Sequence, residues 1–345
     1  MEKKNLEEAI KKINKAFGAN TIQKLSDKQE AAKNVISTGS LLIDKILNGG
    51  IAQGRIIELF GIESSGKSTL CLQVARECQK KGSLVAYIDV EQALDVDYAR
   101  ALGVNTEELI FTQPTSGEQA LEIVDTLAKT GEVSLIIVDS VAALTPQAEL
   151  DGEMSDVTIG LRARLMTKAL GKITATLNEK NCAVIFINQL REKISTGFSM
   201  GPSETTPGGR ALKFYASQRI ELRKTTAIKE GGEVIGTNVK VKCVKNKIGV
   251  PMKVVELPMI FGKGFDSQNE ALDLALEYEI CKQSGAFYTS HDGQRFQGKA
   301  KLRAYYDENK DKADELLTLV KNHLNGVTLE PEYEIDPKTG EIIDE

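Results

Sequence analysis

Histidine is nearly missing from this chain of 345 residues: only His291 and His323 occur, and neither stands in a motif. Chemistry built on imidazole is thereby set aside. None of the five cysteines, Cys71, Cys78, Cys182, Cys243 and Cys281, forms a C-x-x-C pair. A disulfide framework and a zinc site both fall away. Cys182 and Cys243 lie in apolar, strand-like runs, where a small hydrophobe is the simplest role. No apolar run approaches the ~18 residues of a membrane span. The start, Met1 to Asn5, leads into a mixed-charge helical pattern instead of the apolar core of a signal peptide. A cytoplasmic protein without a membrane partner is expected.

What is present suits a large globular domain accompanied by smaller ones. The net charge of −5 is concentrated at one end: Glu330–Glu345 holds seven acidic residues and one lysine, so the remainder carries +1. That tail is expected to be disordered. It is either a solubilising terminus or a mobile polyanion competing with nucleic acid for a basic surface, and both readings stay open.

Residues 5–17 read as an amphipathic helix closed by Gly18, with Leu6, Ala9, Ile10, Ile13, Ala16 and Phe17 on one face. An apolar face set apart by the polar stretch 26–33 needs a partner, such as a neighbouring subunit. From Val35 short apolar runs alternate with helices. Strands are expected at 55–60, 84–89, 133–138 and 182–187, and helices at 160–180 and after a Ser116/Gln119 capping box. This alternation implies a mostly parallel sheet covered on both faces. Strands at 218–223, 238–244 and 252–260 follow, with a turn at Glu230–Gly232. Helices return after Ser267, and the last periodic stretch ends near Gly326.

Gly61-Ile-Glu-Ser-Ser-Gly66-Lys67-Ser68 fits G-x-x-x-x-G-K-[ST] between a strand and a helix, the context a phosphate loop requires. Backbone amides and a helix N-terminus attract phosphate. Lys67 would reach the β- and γ-phosphates, and Ser68 would ligate Mg²⁺. The apolar strand ending in Asp139 would bring a second carboxylate to the metal. Glu91, at another strand end, suits a base that polarises the attacking water, with Asp89 as its rival. The strand 182–187 runs into Asn188-Gln189, whose amides could bond a γ-phosphate.

The segment 190–209 then holds four glycines and two prolines, a length and composition that ordered domains seldom carry without a use. Arg191, Lys193, Phe198, Gly208, Gly209 and Arg210 combine cations, an aromatic ring and flexible backbone, which suits a splayed single strand. Arg164, Lys168 and Lys172 recur every four residues on one helix and form either a solvated face or a phosphate-tracking stripe. Lys245 and Lys247, two apart at a strand end, are expected to point the same way. They are surface charges or complete a nucleotide site from a neighbouring subunit.

The strings Ile36–Leu41, Glu63–Ser68, Tyr87–Asp95, Val138–Pro146, Phe186–Gln189, Gly208–Ser217 and Val244–Ile248, in this order and spacing, resemble the bacterial RecA family over roughly residues 5–325. The resemblance implies an α/β fold: a RecA-like P-loop ATPase core with a mostly parallel central sheet, an N-terminal docking helix and a small α/β C-terminal domain. The corresponding divisions are 1–33, 34–266, 267–327 and an acidic tail 328–345. It implies that Glu91, Lys67 and Gln189 are catalytic, Gln189 as the γ-phosphate sensor. ATP would be held by Gly61, Glu63, Ser64, Ser65, Gly66, Lys67, Ser68, Thr69 and Asp139, with Mg²⁺ on Ser68 and Asp139. Tyr98 would stack on adenine, Asp95 would bond its amino group, and Phe261 would cover its other side. Lys245 and Lys247 would reach the ATP of the adjacent subunit. Segments 151–160 and 190–209, with Arg164 and Lys172 nearby, would bind DNA.

The implied activity is a DNA-dependent ATPase that forms filaments on single-stranded DNA and exchanges strands with homologous duplex. A scaffold for self-cleavage of a LexA-like SOS repressor can coexist with it. Ile62, Ser68, Ile159 and Gly171 depart from the usual family residues, the second loop is about two residues longer, and Gly285–Tyr288 retains only partial likeness. A hexameric helicase motor and a small-molecule kinase are the alternatives: the first would unwind forks as closed rings, and the second would use ATP without regard to DNA.

Overall fold

The computed structural model describes residues 2–18, 21–22, 34–153, 160–192, 204–324, 334–335 and 342–343. The chain divides into two units, residues 1–34 and 35–345. The first is carried by a helix, Glu2–Phe17, beginning three residues before the periodic pattern. Its Asn14 side chain clasps Ile22 from both sides, donating to the carbonyl at 3.1 Å and accepting from the amide at 2.8 Å. Leu6 and Phe17 are exposed.

The second unit is organised by nine strands: β1 (Ile56–Gly61), β2 (Leu84–Asp89), β3 (Leu109–Thr112), β4 (Val133–Asp139), β5 (Ala183–Gln189), β6 (Gln218–Glu230), β7 (Glu233–Asn246), β8 (Val254–Ile260) and β9 (Gly264–Phe265). They form one sheet in the order β9-β8-β7-β6-β1-β5-β4-β2-β3. The half from β6 to β3 is parallel, and β6 through β9 are antiparallel. All six residues of β1 are buried, because helices cover both faces of the parallel half, and this produces its unbroken apolar run. One face packs on the helix Lys67–Gln79 through Leu70, Cys71 and Val74. The other packs on helices Gly117–Thr130 and Leu161–Lys180 through Val124, Leu170 and Ile173. Since β1, β2, β4 and β5 run the same way, their C-terminal ends share one edge, where α/β sheets place their sites.

Several boundaries differ from expectation. The β6–β7 hairpin is far longer than the segments 218–223 and 238–244, because register shifts near Lys224–Ala227 break its alternation. Strand β3 was not anticipated; it is a four-residue edge with Ile110 and Phe111 exposed. The Ser116 cap accepts from the Gln119 amide at 3.3 Å, but Gln119 reaches back to the Thr115 amide at 2.8 Å, one residue short of a full capping box.

Beyond β9 the helix Ser267–Glu277, a three-stranded antiparallel sheet and the helices Lys299–Glu308 and Lys310–Leu324 share a small core containing Leu274, Leu302, Leu316 and Val320. Leu41, from the helix Leu41–Leu47, joins that core. Glu270 pins the contact by accepting from Ser40 Oγ at 2.8 Å and the Leu42 amide at 2.9 Å. Of the acidic tail, only two paired two-residue strands, Glu334–Ile335 and Ile342–Ile343, are described.

Glu270 is buried, and burial pushes its carboxyl from 4.5 up to about 7 against the hydrogen bonds from Leu42 and Ser40. The folded state therefore binds more protons than the unfolded one between those values, and stability falls as pH rises through that window. The full cost above it is about 3 kcal/mol. Glu270→Gln removes this ionisation. The difference in unfolding free energy between variant and wild type should move in the variant's favour from pH 4.5 to about 7 and then level off. A difference that does not change with pH would contradict it.

Candidate nucleotide and nucleic-acid site

The phosphate loop leaves the end of β1 and turns into the helix beginning at Lys67. Ser64 and Gly66 both take left-handed backbone angles, φ 54° and 90°. A Cβ on Gly66 would lie 2.5 Å from Met259 Sδ, so a side chain there would strain the backbone and also displace the Met259 thioether. Ser65 Oγ donates to the Ile62 carbonyl at 2.8 Å and tightens the loop. Lys67 is buried and folds back, donating to the carbonyls of Ile62 at 2.6 Å and Gly61 at 3.3 Å. Burial draws its ammonium below the ordinary lysine value, while Asp139, Glu91 and Glu63 pull the other way. A cation held by two neutral carbonyls has the charge and reach to turn to phosphate oxygens.

Three strand ends converge beside it. Asp139, at the end of β4, accepts on Oδ2 from Ser68 Oγ at 3.0 Å and from Tyr87 OH at 2.7 Å. Burial raises the Asp139 carboxyl, and both hydroxyls oppose that rise. A serine hydroxyl and a carboxylate in contact form the oxygen donor set that a hard divalent cation takes, so these residues fit Mg²⁺. Glu91, just past β2, accepts on Oε1 from Gln189 Nε2 at 2.9 Å and from Ser140 Oγ in a short contact. The Glu91 carboxylate and the Gln189 amide, the expected base and sensor, are thus joined directly. Asp89, the rival base, is instead a buried structural acceptor for the amides of Ala93 and Leu94 and the side chain of Gln113.

Where adenine is expected, Thr69 Oγ1 and Tyr98 OH share a hydrogen bond of 2.8 Å. Asp95 caps the helix Val96–Ala101 by accepting from the Tyr98 amide at 3.0 Å, so its carboxylate has a structural role that spacing did not reveal. Phe261 is 54% exposed and follows β8. Glu63 and Ser64 are exposed at the tip of the loop.

Strand β5 leads into the segment 190–209. Leu190 N–H donates to the Gly61 carbonyl at 3.0 Å, so the phosphate loop and the start of that segment touch through backbone. Arg191–Glu192 pairs with Glu204–Thr205 in a two-residue ladder. Lys193 and Phe198 lie outside the described residues. At the far end Gly208 and Gly209 both have positive φ, and a Cβ on Gly209 would meet the Ala163 Cβ at 2.8 Å. Arg210 is exposed. Asn188 Nδ2 donates to Glu58 Oε1 at 3.1 Å and to the Pro207 carbonyl at 3.2 Å. Glu58 is 0% exposed and pairs with Arg219 Nε at 2.5 Å. Sequence reading missed this triad because its members come from three strands.

The basic stripe divides. Arg164 and Lys168 are exposed, but Lys172 lies 2.8 Å from the buried Asp125 and 3.2 Å from Glu122. Lys172 is committed to the neighbouring helix Gly117–Thr130, a partner fixed only by tertiary packing. Lys245 and Lys247 sit at the end of the β6–β7 hairpin. Lys245 lies within β7 and its Nζ donates to the carbonyls of Lys213 and Phe214 at 2.8 and 3.0 Å. Lys247 lies beyond the strand, its amide bonded to the Ser217 carbonyl at 2.9 Å. That bond is the next rung after the Gln218–Asn246 pair, so the two lysines stay two apart on one ladder, and burial, then the nearby Lys247 charge, lowers the Lys245 ammonium.

A phosphate loop, a serine–carboxylate pair at an adjacent strand end and a carboxylate–amide contact on a parallel sheet define a P-loop ATPase core. Residues 4–266 match the RecA N-terminal domain and residues 269–325 the RecA C-terminal domain. This chain belongs to the RecA family. It is 48% identical over 325 residues to Protein RecA of Campylobacter jejuni subsp. doylei, covering 94% of each chain. To Protein RecA of Acinetobacter baumannii it is 47% identical over 340 residues, covering 96% of this chain and 97% of the other. A crystal structure of the RadB recombinase shares the fold at TM-score 0.50 and 22% identity, over 67% of this chain and 98% of that one. Among the described residues no helix is long and apolar enough to cross a membrane.

Proposed function

We propose that the chain is a DNA-dependent ATPase that assembles on single-stranded DNA and exchanges it with a homologous duplex in recombinational repair in the cytoplasm. The observation that carries this reading is the Glu91–Gln189 hydrogen bond at the mouth of a segment whose first amide is bonded to Gly61. Lys67 turns from the loop carbonyls to the β- and γ-phosphates. Ser68 and Asp139 would hold Mg²⁺, which would neutralise charge on the phosphate oxygens. Glu91 takes a proton from the attacking water. Gln189 releases Glu91 to bond the γ-phosphate and moves Leu190 and the chain beyond it. Arg164, Arg191, Lys193, Phe198, Gly208, Gly209 and Arg210 then engage the strand by backbone charge and stacking, so base pairing selects sequence. Hydrolysis reverses the shift. Support for repressor self-cleavage by the same filament rests on family likeness alone.

ATPase activity measured with and without single-stranded DNA, with imaging of the complexes, tests the reading. Stimulation by DNA together with helical filaments is the expected result. Hydrolysis indifferent to DNA from particles that stay globular overturns it.

Lys245 and Lys247 act on the ATP of a neighbouring subunit. Lys245→Ala is expected to lower DNA-stimulated hydrolysis, and Lys67→Ala to abolish it. Mixing the two variants should restore part of the activity, since some interfaces then combine an intact Lys67 with an intact Lys245. A mixture no more active than the sum of its parts removes the assignment between subunits.

A further inference from the structure

We propose that Tyr87 is a positioning residue for the metal ion, setting the orientation of Asp139 through its hydroxyl. The proposal rests on the Mg²⁺–ATP reading above and adds a residue to it. Tyr87 is 1% exposed, in the middle of β2. Strand alternation puts it on the same sheet face as Asp89, two residues on, and β2 pairs with β4 in the register Tyr87↔Ile137 and Asp89↔Asp139. Its ring is part of the core that includes Leu70, Cys71 and Val74 of the phosphate-loop helix.

A phenol at that depth needs a partner. Its hydroxyl proton goes to Asp139 Oδ2 at 2.7 Å, the same oxygen that accepts from Ser68 at 3.0 Å. Among the described residues every hydrogen bond to the Asp139 carboxylate falls on Oδ2. Two donors from different elements, one on a strand and one on the phosphate-loop helix, therefore fix the carboxylate plane. Ser68 is both a donor in this arrangement and a proposed metal ligand, so its geometry changes when the ion enters. Tyr87 stays in the core and holds Asp139 through that change. Hydrogen-bond partners of metal ligands typically contribute ten- to a hundredfold in metal affinity.

Tyr87→Phe keeps the ring and deletes only the hydroxyl. The test compares full-length wild type, Tyr87→Phe and Asp139→Asn. Mn²⁺ affinity of the ADP complex is measured by electron paramagnetic resonance, and ADP affinity is measured in EDTA. For Tyr87→Phe the Mn²⁺ dissociation constant should rise about tenfold or more, with metal-free ADP affinity unchanged. The Mg²⁺ concentration for half-maximal DNA-dependent ATPase should rise in parallel, and saturating Mg²⁺ should bring turnover back to the wild-type level. Unchanged Mn²⁺ affinity in Tyr87→Phe, with a clear loss in Asp139→Asn, overturns the proposal and leaves the metal reading standing. Unchanged affinity in Asp139→Asn sinks the metal reading and the proposal with it. Loss of metal-free ADP binding in Tyr87→Phe makes Tyr87 a packing residue and also overturns it.

Discussion

Glu91→Gln is expected to lower DNA-dependent ATP turnover by about 10²–10⁴-fold, the usual contribution of a positioned general base. ATP-dependent binding to single-stranded DNA should persist. The substitution removes basicity but keeps an oxygen at the Oε1 position, where Gln189 Nε2 and Ser140 Oγ now donate. The contacts that report nucleotide state therefore survive a change that disables proton abstraction. Steady-state hydrolysis and fluorescence anisotropy of a labelled oligonucleotide, both with ATP and Mg²⁺, separate the two effects. Turnover close to wild type would take Glu91 out of the catalytic role.

Arg219→Met is expected to destabilise the fold by about 3–5 kcal/mol, because removing one member of a buried ion pair leaves the other charge uncompensated. Glu58 is fully buried and holds Arg219 on one oxygen and Asn188 on the other. The Arg219 guanidinium also lies over the Phe60 ring, 4.6 Å from its centroid, and methionine retains part of that packing. Adding Glu58→Gln should recover much of the loss, since a neutral amide is less costly to bury than an unpaired carboxylate. Chemical denaturation of Arg219→Met, Glu58→Gln and the double variant checks this. A double variant destabilised by the sum of the two single effects would mean that the pair is not coupled.

Features written in consecutive residues were legible in the sequence. The phosphate loop is such a feature, since Gly61–Ser68 and its flanking strand and helix occupy one stretch. The inner parallel strands were legible too, because burial on both faces leaves runs such as Val133–Val138, whereas the exposed edge strand β3 was not. Contacts created by strand order were not legible. Glu58, Asn188 and Arg219 come from β1, β5 and β6, and nothing local to any of them announces the others. Lys172 looked like its exposed neighbours Arg164 and Lys168 until helix packing set Asp125 beside it. Tyr87 read as an ordinary strand aromatic, and only the β2–β4 register brings its hydroxyl to Asp139. In the C-terminal region the three strands are three residues long each, too short for alternation to separate them from turns.

The backbone link from Leu190 to Gly61 has a thermodynamic corollary. With the segment beyond Leu190 gripping a strand as proposed, the two ligands bias one equilibrium across this junction. Linkage is symmetrical for binding free energies: if ATP tightens an oligonucleotide by some factor, the oligonucleotide tightens ATP by the same factor. A substitution at this junction that weakens one coupling must therefore weaken the other equally, even when it touches neither ligand.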